Sequence, residues 1–475
     1  MRRFVLIRLY RLGDLLMATA LARAWKEEAP THLTWIVGER FAPLLRGQPY
    51  VDRLILIPDR FITRYARSSS WEDRSGPLEE AQRLFPRVFE ALPPEADRVV
   101  NLQYSTSGLL LAGRIRTQDR AGPYLDAEGF QRVDDLWSQY YLAMGAEVRY
   151  AVVHWTDAFL NIGRASRRGA RTEYRPRPCP AFQRRFDAAR AGHPYFVVQL
   201  GAYEEDKRWP PERYQEAAEQ IARATGWIPV LVGSRTERVE ALRTAQALTQ
   251  RGVPVLCLAG ATDFDQLAYV LRGAQVVLGN DTFTQHFAAA LERPVVTVFQ
   301  GRPSPWLTLA YQEGSIAVAN DDGSPPEVER VVGAVLGSHR NFWVAQRIGD
   351  YQFCLPAGPE AQTDGWKARW IIGTGHLRAL DPAFSAGPEV RVTFPRAWLE
   401  EIEQLIAQLE AGKVKLPPKL DARLYATHRN HPLAAFLIVA ILKNHFSALR
   451  ADAVGEYRNN YLWLREALLR AGVPE

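Results

Sequence analysis

The sequence predicts an α/β protein with two parallel sheets, each covered by helices. Short apolar runs typical of buried strands alternate with segments of helical periodicity, once before residue 161 and again between residues 190 and 337. The intervening stretch 161–180 is rich in arginine and proline and has the composition of a linker or an exposed loop. We therefore expect two domains with a cleft between them, which is a favoured place for a ligand.

The first half begins with a strand at Phe4–Leu9, whose apolar run is interrupted only by Arg8. Gly13 permits a sharp turn, and the periodicity after it predicts a helix over Leu15–Glu28. Asp14 is expected at the junction, on the loop or the first turn of that helix. Further strands are predicted at His32–Val37, Leu54–Ile57 and Val99–Leu102.

The second half repeats the alternation. Its predicted strands are Tyr195–Leu200, Ile228–Val232, Val255–Leu258, Val276–Leu278 and Val295–Phe299. Its predicted helices run from Pro210 to Ala224, through Glu237 after Gly233-Ser234, from the N-cap Asp263 to Arg272, and over Pro325–Leu336. We place the domains at 1–180 and 190–337. Residues 338–475 are expected to form an appended, mainly helical module, with helices at 396–411, 432–449 and 456–471.

The corner at Gln275–Leu291 combines a buried strand, a turn at Gly279-Asn280 and a helix that starts at Asp281 or Thr282. Either side chain is expected to cap the helix by accepting a hydrogen bond from a free N–H group. The remaining N–H groups and the helix dipole would favour a phosphate. The alternative is that Asp281 is a helix cap and nothing more.

Composition narrows the choice of partners and compartment. Lys and Arg total 59 against 53 Asp and Glu, a net charge of +6, which suits an anionic substrate or membrane surface. No nucleic-acid motif is present. The three cysteines are far apart, which indicates a reducing compartment. No signal peptide is recognised, and the longest apolar run, Pro432–Leu442, is too short to cross a bilayer, so we expect a cytoplasmic protein that can rest on a membrane.

Two clusters of basic residues have alternative interpretations. The arginines of the linker either form a solvated surface or contact an anionic acceptor or membrane; they are Arg164, Arg167, Arg168, Arg171, Arg175 and Arg177. His428, His431 and His445 have no carboxylate or cysteine that completes a metal set, so we interpret them as surface or capping residues. No metal site is expected.

Four polar corners follow the carboxyl ends of predicted strands and are therefore expected to meet in one cleft. They are Asp14, Lys207-Arg208, Glu237, and Asn280-Asp281 with His286. The sequence contains no G-x-G-x-x-G fingerprint and no Walker A loop, which argues against dinucleotide dehydrogenases and P-loop enzymes.

At these corners the sequence resembles glycosyltransferase family 9, the heptosyltransferases that build the lipopolysaccharide inner core. The matching segments, which span roughly residues 1–336, are Ile7–Asp14, Gly38–Leu44, Leu200–Ala202, Lys207–Pro210, Val232–Ser234 with Glu237, and Gly279–Asp281 with His286–Leu291. The resemblance implies a GT-B fold, with two Rossmann-like domains facing across a cleft. It also implies inverting transfer of a heptose or related sugar from a nucleotide-diphosphate donor, usually ADP-linked, to a lipopolysaccharide-core or other envelope glycan.

The resemblance also assigns roles. Asp14 is the implied base that takes the acceptor proton, although a helix cap is the alternative. Lys207 and the helix after Asp281 would stabilise the leaving diphosphate without a metal or other cofactor. The implied donor-binding residues are Gly201, Ala202, Lys207, Arg208, Glu237, Asn280, Asp281, Thr282 and His286. For Arg208 the alternative is a surface charge, for Glu237 a solvated carboxylate, and for His286 packing beneath the turn.

The chain departs from the family pattern at two places. Tyr10-Arg11 replaces a pair of small residues, and Phe283 stands where the family has glycine. A phenylalanine there either blocks a pyrophosphate or points away. Two other functions therefore stay open: a non-catalytic GT-B protein that binds a sugar nucleotide or acts as a scaffold, and an epimerase on the same fold. The module from residue 338 has no counterpart in the resemblance.

Overall fold

The computed structural model describes residues 1–358 except 67–75, 128, 130, 147–150, 167–168, 302–303 and 339–340, and in addition 377, 380, 381, 384, 404 and 407. The first half contains β1 (Arg2–Ile7), α1 (Leu12–Glu28), β2 (Thr31–Gly38), β3 (Arg53–Ile57), α2 (Asp59–Arg64), α3 (Gly76–Leu84), α4 (Pro86–Glu90), β4 (Arg98–Asn101), α5 (Thr106–Gly113), β5 (Arg120–Ala121), β6 (Tyr124–Leu125), β7 (Gln131–Arg132), α6 (Leu136–Ala146) and α7 (Trp155–Ile162).

The second half contains α8 (Pro180–Arg190), β8 (Tyr195–Gln199), α9 (Pro211–Thr225), β9 (Ile228–Val232), α10 (Arg238–Gln250), β10 (Leu256–Cys257), α11 (Phe264–Arg272), β11 (Val277–Asn280), α12 (Phe283–Ala290), β12 (Val295–Phe299), α13 (Pro305–Thr308), β13 (Ile316–Ala319), α14 (Val328–Leu336), β14 (Trp343–Ile348) and β15 (Tyr351–Pro356). Asp263 caps α11 through a capping box with Gln266, as predicted.

The two halves are organised around separate parallel sheets. The first sheet has the order β3-β2-β1-β4-β5 and all its pairs are parallel. The second has the order β10-β9-β8-β11-β12-β13-β14-β15 and is parallel as far as β13. β1 is the central strand of the first sheet, and β8 lies between β9 and β11 in the second. Because the strands around each of them are parallel, the loops that follow these strands lie at one edge of their own sheet.

The predicted boundary at residue 338 is wrong as a limit of the second sheet. β14 pairs antiparallel with β13, through Ile316 and Val344, and β15 pairs antiparallel with β14. The buried faces of this hairpin pack on the second half, since Trp343 meets Trp306 with ring centroids 5.5 Å apart. Residues 343–356 are thus strands and not part of a helical module. The helices predicted at 396–411, 432–449 and 456–471 lie outside the described residues, apart from Gln404 and Ala407, which are helical.

The linker arginines are held by carboxylates. The ion pairs are Arg164 with Asp119, Arg171 with Glu292, Arg175 with Glu173, and Arg177 with Asp265. Two of these pairs join the linker to the second half, at Glu292 and Asp265. Exposed pairs of this kind contribute little stability each. They favour the interpretation of Arg164, Arg171, Arg175 and Arg177 as part of a solvated surface; Arg167 and Arg168 lie outside the described residues.

A buried carboxylate connects α7 of the first half to the hairpin of the second. Asp157 is fully buried, and it accepts hydrogen bonds from the Tyr311 hydroxyl (2.6 Å) and from the backbone N–H of Gln352 (3.0 Å). His154 directly precedes α7, and its Nε2 atom is 2.7 Å from the carbonyl oxygen of Leu309. The hairpin therefore fastens the two halves together on one side of the molecule.

We expect Asp157→Ala to lower the free energy of unfolding by about 2–5 kcal/mol, because two buried donors lose their acceptor. Urea unfolding followed by tryptophan fluorescence measures the change. Asp350→Ala is the matched control, since Asp350 is exposed at the turn of the same hairpin and should change stability by less than about 0.5 kcal/mol. Equal effects of the two substitutions would contradict a linking role for Asp157.

Candidate functional site

Asp14 lies in the first turn of α1, directly after the central strand of the first sheet. Arg11 precedes the helix with φ of 68°, a left-handed conformation that is uncommon for a residue with a side chain. The buried guanidinium of Arg8 pairs with Asp14 Oδ2 and also donates to the carbonyl of Leu102. The Asp14 carboxylate is therefore held in one place, and about a fifth of its side chain is exposed (21%).

Lys207 lies at the equivalent edge of the second sheet, in a short 3-10 turn after β8. Its ammonium is 3.4 Å from Asp281 Oδ2 and 3.3 Å from Glu204 Oε2. Burial acts to lower the pKa of Lys207, but the Asp281 and Glu204 carboxylates outweigh it and raise the pKa above its usual value. Lys207 thus remains a cation. Thr308 holds the same Asp281 oxygen with its hydroxyl, at 3.1 Å.

The side-chain caps predicted for α12 are absent. Thr282 occupies the N-cap position without a side-chain capping hydrogen bond, because its hydroxyl donates to Gln199 Oε1 (2.9 Å). Asp281 is directed at Lys207 and Thr308. The helix begins at Phe283, one residue after the later of the two predicted starts, and its first N–H groups are not occupied by either side chain.

Asn280 is fully buried and holds the surrounding loops together. Its Nδ2 donates to the carbonyls of Leu200 (2.7 Å) and Gly201 (3.2 Å), and its Oδ1 accepts from the N–H of Trp209 (2.9 Å). The side-chain amide of Asn280 is therefore bonded to protein groups, and the donor contact predicted for this residue stays a prediction. Asn280 positions the segment that carries Lys207.

Phe283 points away from this polar corner. Its ring stacks on Phe287 with centroids 4.9 Å apart, and it meets Phe264 of α11 edge-on at 5.5 Å. Packing among these aromatic side chains accounts for a bulky residue in the first turn. Phe283 was expected either to block a pyrophosphate or to point away from it, and the structure shows the second arrangement.

His286 bridges the two halves of the molecule. It is buried, and a Cβ atom placed on Gly13 would lie 2.9 Å from its Cδ2 atom. Burial lowers the pKa of His286; Asp281 opposes this shift and Lys207 reinforces it. The ring is therefore neutral at pH 7, and it lies within electrostatic reach of both partners. Its Nδ1 atom is buried without a hydrogen-bond partner among the described residues.

Glu237 ends the loop after β9 and precedes α10, so the predicted helix through it starts one residue later. Its carboxylate accepts from Gln199 Nε2 and from the N–H of Ser234, both at 2.6 Å. The carboxylate also lies directly against Gly201. Arg208, by contrast, donates its Nε to the carbonyl of Ala202 (2.7 Å), so it braces its own loop.

Gly201→Ala is expected to displace the Glu237 carboxylate, because a Cβ atom at residue 201 would overlap Glu237 Oε1. If Glu237 binds the ribose hydroxyls of the donor, affinity for a nucleoside diphosphate should fall about tenfold. Calorimetric titration with ADP measures this. Gly226→Ala is the control for added bulk at a glycine, since no atom lies within 4 Å of its Cβ position, although its φ of 71° adds local strain. Unchanged ADP affinity in Gly201→Ala would remove Glu237 from the donor site.

Two residues of this corner were not anticipated. Gln199 bonds both Thr282 and Glu237, and Glu204 shares the ammonium of Lys207 with Asp281. A signal for Gln199 was present in the sequence, as it is the single polar residue in the strand Tyr195–Gln199. The sequence did not single out Glu204, because it is one of three consecutive acidic residues in its loop.

No helix among the described residues combines the length and the hydropathy that a membrane span requires. In the same part of the chain, no group of three or more His, Cys, Asp or Glu side chains is arranged to hold a metal ion. His428, His431 and His445 lie outside the described residues.

Comparison with known proteins finds similarity to glycosyltransferases. Residues 170–333 match the model of glycosyltransferase family 9 (heptosyltransferase). Lipopolysaccharide heptosyltransferase 1 of Pseudomonas aeruginosa is 28% identical over 67% of this chain and 84% of its own length. The Escherichia coli K12 enzyme of the same name is 25% identical over 65% of this chain and 91% of its length.

Solved structures give the same fold. A family 9 glycosyltransferase from Veillonella parvula superposes with a TM-score of 0.52 at 18% identity, covering 71% of this chain and 97% of its own. The E. coli heptosyltransferase WaaC with ADP superposes with a TM-score of 0.50 at 20% identity, covering 71% of this chain and all of its own (100%). The GT-B fold predicted from the sequence is thereby confirmed.

Proposed function

We propose that this chain is a member of glycosyltransferase family 9 and transfers a heptose from an ADP-linked donor to a lipopolysaccharide-core or related envelope glycan, with inversion. The observation that carries the proposal is the contact between Gly13 and His286. Gly13 directly precedes Asp14, and His286 lies on the helix that follows Asp281, so this contact supports an arrangement in which Asp14 faces the Lys207–Asp281 corner. An acid and a cation on opposite sides of one gap are what a displacement at a sugar carbon requires.

In this proposal the acceptor hydroxyl oxygen attacks the anomeric carbon while Asp14 takes its proton. The new C–O bond forms as the bond from the anomeric carbon to the donor phosphate oxygen breaks, and the electron pair leaves with the nucleoside diphosphate. A single displacement inverts the anomeric configuration. Lys207 would exchange its Glu204 and Asp281 partners for the diphosphate, and the free N–H groups at the start of α12 would bind a phosphate oxygen.

Several features support the finer parts of the proposal. Lys207 and the α12 N-terminus supply positive charge, so we propose that no metal or other cofactor takes part. The relatives named lipopolysaccharide heptosyltransferase support the heptose and the lipopolysaccharide acceptor, and the WaaC structure that contains ADP supports the nucleotide. A glycolipid acceptor would bring the protein to the cytoplasmic face of the inner membrane, where we propose a peripheral contact.

The test is an assay that mixes ADP-heptose with heptose-free lipopolysaccharide core and measures release of ADP. We expect ADP release that depends on both substrates and a product whose anomeric proton coupling shows inversion. UDP- and GDP-linked sugars should be poorer donors. Absence of binding to ADP, UDP and GDP would favour the non-catalytic alternative. Conversion of the sugar nucleotide without an acceptor would favour an epimerase.

A further inference from the structure

Three aromatic side chains from separate elements meet in the first half beside the Arg8–Asp14 pair. Tyr104 follows β4, Tyr141 lies on α6, and Trp155 opens α7. Tyr141 is the central ring: its centroid is 4.8 Å from that of Tyr104, at an angle of 38°, and 4.0 Å from that of Trp155, at 75°. Each of the three is partly exposed. We call these three residues the aromatic platform.

Phe159 connects the aromatic platform to Arg8, the partner of Asp14. The Arg8 guanidinium is 5.9 Å from the centroid of the Phe159 ring, and the same ring is 5.5 Å from that of Tyr141. Burial lowers the pKa of Arg8, while the neighbouring phenols of Tyr141 and Tyr104 act in the opposite direction. The platform therefore lies one side chain away from the carboxylate that we propose as the base.

The hairpin of β14 and β15 lies beyond the segment that matches the family, and it packs against the helices that carry the platform. Trp137, on the same helix as Tyr141, stacks on Tyr351 of β15 with centroids 6.5 Å apart and an angle of 23°. Trp137 and Trp155 both pack against a buried cluster that contains Tyr351 and Phe353. Residues 343–356 follow the matched segment, which ends at 333. An element outside the family match thus helps to set the position of an aromatic surface near Asp14.

The chemistry of this surface suits a sugar ring. A pyranose has faces made of C–H groups that pack against aromatic rings, and hydroxyls at its edge that need polar partners. Two cations lie near the platform: Arg8, which holds Asp14, and Arg11, whose charge acts on the phenol of Tyr141. An acceptor bound here would be recognised mainly by the apolar face of a ring.

We infer that Tyr104, Tyr141 and Trp155 form the subsite for the terminal sugar ring of the acceptor glycan, which stacks on the platform and presents its hydroxyl to Asp14. The inference rests on the proposed function, because it assumes that Asp14 receives the acceptor proton. It adds the class of acceptor group and the residues that hold it. It also gives a role to the hairpin Trp343–Pro356, which backs the platform.

Tyr141→Leu tests the inference in the full-length protein. Loss of the central ring is expected to raise the KM for deacylated, heptose-free lipopolysaccharide core about tenfold, with kcat at saturating acceptor and the Kd for ADP nearly unchanged. Tyr141→Phe should restore the acceptor KM, because the ring is kept. Tyr269→Leu, at a partly exposed tyrosine of α11 in the second half, is the matched control and should leave the KM unchanged.

Saturation-transfer NMR with the same deacylated core reads the contact directly. Wild-type protein should saturate the C–H protons of the terminal ring, and Tyr141→Leu should lose this effect. If Tyr141→Leu fails to fold, Tyr104→Leu replaces it with the same expected outcome. An unchanged acceptor KM in a folded platform variant that binds ADP and transfers sugar would overturn the inference alone. If the wild type binds no nucleotide and transfers no sugar, the proposed function fails, and saturation of the ring protons still reports whether the platform binds the glycan.

Discussion

Replacing Asp14 with asparagine is expected to lower the rate of sugar transfer by about 10²–10⁴-fold, which is the usual contribution of a general base. Asparagine keeps the shape of the side chain and a possible hydrogen bond to Arg8, but it cannot take a proton at neutral pH. Because the donor would be bound mainly by the second half, the Kd for ADP should stay within about twofold of wild type. Steady-state release of ADP and calorimetry measure the two quantities.

The Asp14→Asn experiment needs a control for the general loss of a carboxylate. Asp97→Asn serves this purpose, since Asp97 is exposed in the same half and pairs with Arg3. It should leave both kcat and the Kd for ADP unchanged. Near-normal turnover by Asp14→Asn would exclude Asp14 as the base and leave it as a residue that holds Arg8. A parallel loss of ADP binding would instead indicate a change of structure.

Lys207→Ala is expected to weaken ADP binding by about 10–100-fold, because a charge-assisted contact to phosphate contributes about 1.5–3 kcal/mol. The loss should be larger for ADP than for adenosine, since the lysine is proposed to contact the diphosphate and not the base. The substitution also leaves Asp281 and Glu204 near the phosphates without their cation, which adds repulsion.

Arg208→Ala and Lys26→Ala are the controls for Lys207→Ala. Arg208 is the adjacent cation but donates to the carbonyl of Ala202, and Lys26 binds Asp52 and the carbonyl of Thr31 on the first half. The first should weaken ADP binding only a few-fold and the second not at all. If Lys207→Ala and Arg208→Ala weaken ADP binding equally, the phosphate contact cannot be assigned to Lys207.

The sequence determined most of the strands because their burial is almost complete and their residues are apolar. Ile228–Val232 and Val295–Phe299 have the predicted bounds, and every residue in both strands is buried. The capping box at Asp263 was also predictable, since both of its side chains bind backbone within four residues of chain. Local patterns of this kind depend only on residues that are close in sequence, and they were enough to predict that the polar residues lie at strand ends.

Contacts between distant segments decided what local patterns left open. Thr282 and Asp281 would cap a helix in isolation, but Gln199 and Lys207 compete for their oxygens. The strands at 343–356 have weak periodicity, and they form because β13 offers an unpaired edge.

The sequence by itself therefore determined the fold class, the resemblance to glycosyltransferase family 9 and the residues gathered at the strand ends. The tertiary structure alone decided that Asn280 is an internal brace, that Phe283 turns away and that His286 touches Gly13. The physical reason is that a residue's preference for helix or strand depends on its neighbours in sequence. The partner of a polar or aromatic side chain depends instead on which atoms from distant segments the fold brings next to it.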